Sequence, residues 1–128
     1  MHFTARMSIA THIALGEQGE SLAAQALERE GYAVLARRYR TRLGEIDIIA
    51  RDGTCLVFVE VKARQHHRCG RPDEQITVRK QRKIVAIARV FLARTEVRAE
   101  SCRFDVVTVS MNDGQPRVQI IRNAFDAE

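Results

Sequence analysis

Two Ile- and Val-rich runs, Glu45–Arg51 and Cys55–Arg64, flank Asp52-Gly53 and constrain the fold more than any other stretch. Asp-Gly between alternating apolar runs is a strong hairpin signal, so the two runs are expected to pair antiparallel. A two- or four-residue loop centred on Asp52-Gly53 sets Asp47 against Phe58, Glu45 against Glu60 and Ile49 against Leu56. Side chains alternate along a strand, so Glu45, Asp47 and Ile49 share one face with Leu56, Phe58, Glu60 and Lys62. Ile46, Ile48, Ala50, Cys55, Val57, Val59 and Val61 then form a wholly apolar opposite face. A three-residue loop would break this register.

The mixed face is apolar near the turn and charged far from it. Asp47 and Glu60 become diagonal neighbours, with backbones roughly 7–8 Å apart. Two such carboxylates can lean onto one ion, because magnesium–oxygen bonds are about 2.0–2.1 Å long. Lys62 stands beside Glu60. An ordinary ion pair of Lys62 with either carboxylate is the competing reading, and at a surface it would contribute little. However, the strand Leu56–Lys62 is apolar on both faces before its charges begin, so it reads as central and covered. Charges at the end of a buried strand are costly unless a metal or ligand uses them, which favours a functional site.

Around this hairpin the pattern predicts an α-β-β-β-α-β-β order, a mixed α/β sheet flanked by helices. Leu15, Gly19, Leu22, Ala23, Ala26 and Leu27 form one helical stripe between Ile9 and Glu30, and Gly31 is the expected stop. Tyr32–Tyr39 reads as a strand. A second helix spans Thr77 to about Thr95, with Thr77 as N-cap and Ile84, Ile87, Ala88, Phe91 and Leu92 as its buried stripe. Phe104–Val109 and Val118–Ile121 read as final strands across the turn-forming residues 112–116. Asp105 is expected to cap a strand or to pair with an arginine.

A chain of 128 residues fits one domain, taken as residues 16–122 with an extension at 1–15 and a tail at 123–128. The apolar (45%) and charged (29%) shares exclude a disordered chain. No apolar run approaches the roughly 18–20 residues of a membrane span, and residues 1–14 lack a signal-peptide pattern, so a cytoplasmic protein is expected. Cys55, Cys69 and Cys102 are odd in number and have no CxxC spacing, which suggests neither a disulfide framework nor a zinc knuckle. The net charge is +5 and is carried mainly by arginine. Guanidinium groups grip phosphate in a planar fork, so the balance leans toward nucleic acid.

An Asp, a hairpin turn and Glu-x-Lys on the next strand resemble the PD-(D/E)XK nuclease signature. A longer ordered set resembles the YraN family: Gly16-Glu17-Gln18-Gly19-Glu20, Glu30-Gly31-Tyr32, the stretch 40–47, the stretch 58–64, Arg79-Lys80-Gln81-Arg82 and the stretch 103–107. These are small bacterial proteins with a restriction-endonuclease-like fold, similar to Holliday-junction resolvases. Where the family pattern has asparagine within Arg-Asn-Tyr/Trp-Arg, this chain has Arg38. The resemblance implies a metal-dependent DNA endonuclease, with branched or structured DNA as a candidate substrate, and a homodimer. A non-catalytic nucleic-acid-binding or adaptor protein on the same fold is the alternative.

The implied roles are specific. Asp47, Glu60, the Val61 carbonyl and Glu20 would hold Mg²⁺ or Mn²⁺, since an all-oxygen set favours a hard cation. Lys62 would orient the attacking water or neutralise charge on phosphorus, and Gln81 would stand beside it. Arg40, Arg42, Arg64, Arg68, Arg79, Lys80, Arg82 and Lys83 would form a phosphate-contacting rim, helped by the N-terminus of the second helix. His66 and His67 are read as loop or phosphate-contact residues rather than metal ligands.

Overall fold

The structure is a computed structural model that describes residues 9–64, 76–112 and 114–127. Its elements follow the expected order: α1 (Ile9–Arg29), β1 (Ala33–Thr41), β2 (Gly44–Asp52), β3 (Cys55–Arg64), α2 (Val78–Arg94), β4 (Ser101–Asn112) and β5 (Gln115–Phe125). The five described strands form one sheet in the order β1-β2-β3-β4-β5. Only the β3–β4 pair is parallel, with α2 in the connection between them. The sheet is therefore mixed, and one helix lies on each face.

Each face has its own core. On the α2 side Ile49, Leu56 and Phe58 pack with Ile84, Ile87, Ala88, Phe91 and Phe104. On the α1 side Ile48, Ala50, Val57, Val59, Val107 and Val109 pack with Ala23, Ala24 and Leu27. β3 is apolar on both faces because it is central and covered twice. Fully burying one Leu- or Phe-sized side chain contributes about 1.5–3 kcal/mol, so these two layers are the main source of stability.

Several expectations need correction. The β2–β3 ladder pairs Asp52 with Cys55, Ile49 with Phe58 and Ile48 with Val59, so the loop is Gly53-Thr54 and the register lies two residues from the expected one. A two-residue shift preserves side-chain parity, which is why the faces survive. Ile46 is the exception, packing on the α2 side with Ile49 rather than with Ile48 and Ala50. The same irregularity affects β1: Ala36 and Tyr39 both pack on the α2 side, and Arg38 between them has φ 54°. Leu92 is 39% exposed, and Val85 takes its place in the buried stripe.

Thr77 caps α2 as expected, its side chain accepting from the Lys80 N–H. β4 and β5 are longer than the pattern suggested, and Asn112 pairs with Gln115 across a tight turn. Pro116 is tolerated inside β5 because β5 is an edge strand, where a missing N–H costs no ladder bond. α1 begins ahead of residue 16 and β5 continues past residue 122 to Phe125, whose ring stacks on Phe104 at 5.0 Å.

Candidate functional site

β2 and β3 carry the site because their ladder stops at Ile48–Val59. One step further, the Val61 N–H donates to Asp47 Oδ2 at 2.8 Å. The Asp47 carboxylate is thereby fixed at the strand end. Glu60 is buried, 6% exposed, and its Oε2 lies 3.3 Å from Lys80 Nζ on the first turn of α2. The Asp47 and Glu60 side chains adjoin and are joined by a hydrogen bond. Asp47 is pushed up to about 7, first by burial, then by its hydrogen bond with Glu60 and the Glu60 charge. The Val61 N–H and Lys80 oppose that rise without cancelling it.

Asp47 opens onto a cleft of about 550 Å³ that Val61, Lys62, Glu20 and Glu45 also line. Gly19 lets α1 come this close: a Cβ there would meet Ala63 Cβ at 2.8 Å, inside van der Waals contact. That approach brings Glu20, only 7% exposed, to the cleft wall. Glu20 is held by two arginines from β1. Arg37 Nη2 and Arg38 Nε each lie 3.2 Å from its Oε1. Lys62 lines the same cleft and makes no ion pair among the described residues.

Among the described residues, no group of three or more Asp, Glu, His or Cys side chains lies in metal-binding proximity. Asp47 and Glu60 meet, whereas Glu20 faces the same cleft but is engaged by Arg37 and Arg38. Gln81 does not face the cleft; its amide donates to the Ile76 carbonyl at 3.0 Å and serves the start of α2. Lys80, expected on the rim, reaches the carboxylates in its stead. The side chain is long enough to do so, and helix periodicity alone gave no sign of it.

Arg40 lines the cleft and pairs with Glu45 at 3.2 Å, while remaining 73% exposed. Arg42 is exposed in the β1–β2 turn, and Arg79, Arg82 and Lys83 are exposed on α2 outside the cleft wall. The Arg64 side chain, and Arg68, His66 and His67 entirely, lie outside the described residues. Arg37 and Arg38 were not anticipated. Only their place on the strand leading into the Asp47 hairpin hinted at them.

A mixed five-stranded sheet between two helices, with buried carboxylates at the end of its central hairpin, defines a small α/β domain with an acidic cleft. The chain belongs to Uncharacterised protein family UPF0102, the YraN-like family, which it matches over residues 19–109. It is 49% identical to a UPF0102 protein of Symbiobacterium thermophilum, covering 88% of this chain and 97% of the relative. A UPF0102 protein of Desulfosudis oleivorans is 51% identical, covering 88% and 89%. One of Pseudomonas aeruginosa is 44% identical, covering 88% and 92%. No described helix is long and apolar enough to cross a membrane.

Proposed function

We propose that the chain is a metal-dependent DNA endonuclease of the PD-(D/E)XK type, with the Asp47–Glu60 pair as its centre. The observation that carries the reading is the state of that pair. Two carboxyls adjoin at a strand end, and that of Asp47, raised to about 7, faces an open cleft. Structural carboxylates are normally satisfied by cations or donors; a pair left short of positive charge suits a ligand that supplies it. A divalent cation fits, because the donors are all oxygen and its charge would draw the proton off Asp47.

Asp47, Glu60 and the Val61 carbonyl would hold Mg²⁺ or Mn²⁺, with Glu20 available from α1. When bound, the metal supplies Lewis-acid polarisation of the scissile phosphate and acidifies a water. The remaining work falls to the chain's own groups. The Val61 N–H fixes the Asp47 carboxylate, and Lys80 balances part of the Glu60 charge. Lys62, on the cleft wall, would orient the attacking water or offset charge on the phosphate. Arg40 offers a guanidinium to a neighbouring phosphate.

A binding-only reading draws on one observation: Glu20 is committed to two arginines, so only two carboxylates meet. Labelled linear, flap and four-way DNA incubated with Mg²⁺ or Mn²⁺ separates the two. The nuclease reading expects cleavage that is lost in Lys62→Ala and Glu60→Ala while DNA binding persists. Cleavage surviving both substitutions would sink this mechanism. Salt-sensitive binding without cleavage under either metal would favour the binding module.

A further inference from the structure

Arg38 is unusual in two respects. Its backbone has φ 54°, in the left-handed region that long side chains enter at a cost and that glycine and asparagine enter readily. Its guanidinium lines the cleft, with Nε 3.2 Å from Glu20 Oε1 and 3.3 Å from Oε2.

Pairing with Glu20 does not account for an arginine at this strained position. Arg37 already serves that carboxylate, its Nε donating to Oε1 at 3.2 Å. Glu20 thus holds two guanidinium groups, and Glu17 and Glu45 at the same cleft add to the negative charge around Arg38. The Arg38 side chain is 41% exposed, so it sits at the cleft mouth rather than locked in the core. Arg40 and Lys62 line the same cleft. A guanidinium fork suits a phosphate as well as it suits a carboxylate, so moving from one to the other conserves charge-assisted hydrogen bonds.

We infer that Arg38 is a phosphate-binding residue of the cleft, resting on Glu20 in the free protein and transferring to a backbone phosphate of the nucleic acid. The inference rests on the nucleic-acid reading proposed above and adds to it a residue outside the expected rim. Transfer leaves Arg37 on Glu20, so the α1–β1 contact persists. It also lightens the positive charge on Glu20 while substrate is bound, which frees that carboxylate to turn toward the Asp47–Glu60 pair.

The test is fluorescence anisotropy of a short labelled DNA duplex, titrated at several salt concentrations in EDTA, with wild type, Arg38→Asn and Arg38→Lys. Arg38→Asn is expected to weaken binding and to flatten the slope of log affinity against log salt by about 0.9, the share of one phosphate contact. Its melting temperature should hold or rise, because asparagine suits the backbone and Arg37 still pairs with Glu20. Arg38→Lys should keep the slope while losing affinity, since the charge remains and the fork does not. An Arg38→Asn slope and affinity equal to wild type would overturn the assignment and leave the nucleic-acid reading standing. A lowered melting temperature with an unchanged slope would also overturn it, reducing Arg38 to a structural partner of Glu20. No binding by wild type even at low salt would remove both readings together.

Discussion

The sheet buries carboxylates at two places, and they are treated in opposite ways. Toward the β2–β3 turn, Asp105 on β4 is fully buried. It accepts from the Tyr32 hydroxyl at 2.7 Å, from Arg103 Nε at 2.8 Å and Nη2 at 3.1 Å, and from the Asn123 N–H at 3.0 Å. Arg103 also reaches Asp52 at 2.9 Å, and Arg122 closes the group on the Tyr32 hydroxyl at 3.1 Å. Burial, then the bond to Asp105, push the Tyr32 hydroxyl up to about 12. That cluster is saturated.

At the other place, where the β2–β3 ladder ends, Asp47 and Glu60 share one lysine and one backbone N–H, and Asp47 opens onto a cleft. Both clusters are buried acids on adjacent strands. The difference lies in how completely their charge and hydrogen-bonding capacity are met, and it separates a carboxylate that holds the fold from a pair left partly uncompensated. A buried acid in a sequence does not by itself tell the two apart.

The saturated cluster should break hardest. Asp105→Ala leaves Arg103, the Tyr32 hydroxyl and the Asn123 N–H without their acceptor, and should cost about 3–5 kcal/mol in urea unfolding. A loss below about 1 kcal/mol would mean that the network is ornamental. Asp47 should show the opposite sign. Its folded value is raised above its ordinary 3.8, so the folded state keeps a proton that the unfolded state gives up. Stability is then highest below about 4 and is lost as pH rises to about 7. Asp47→Asn should remove that slope, leaving the variant more stable than wild type at pH 8 by roughly 2–4 kcal/mol. Equal pH profiles for the two proteins would count against an under-compensated pair.

Gly19→Ala forces a methyl against Ala63 and should cost about 1–3 kcal/mol, with DNA cleavage falling as Glu20 moves away from the cleft. The smallest effect is expected at Arg40→Ala, where a surface pair with Glu45 is lost; stability should change by no more than about 0.5 kcal/mol. A drop in DNA affinity without that stability change would place Arg40 on substrate.

Much of this contrast was legible beforehand, and the part that was not has a physical reason. The apolar faces of the hairpin near its turn survived a register error because the error was two residues, an even number. Ile46 escaped, since alternation assumes a regular strand and the left-handed Arg38 lies on the neighbouring strand where β1 departs from alternation. Helix phase pointed to Gln81, yet the contact went to Lys80, whose length outweighed its phase. Asp105 was expected to cap or to pair with an arginine, and it pairs with Arg103. Its other partners, Tyr32 and Asn123, lie 73 and 18 residues away, and no local pattern announces them.

Calorimetric titration of Mn²⁺ near pH 7, in buffers of differing ionisation enthalpy, addresses the central claim most directly. Wild type and Lys62→Ala should bind the cation and release a fraction of a proton, as the proton held by Asp47 leaves. Asp47→Asn should bind far more weakly and release none. Binding of equal strength in Asp47→Asn, or no binding by wild type, would contradict the account.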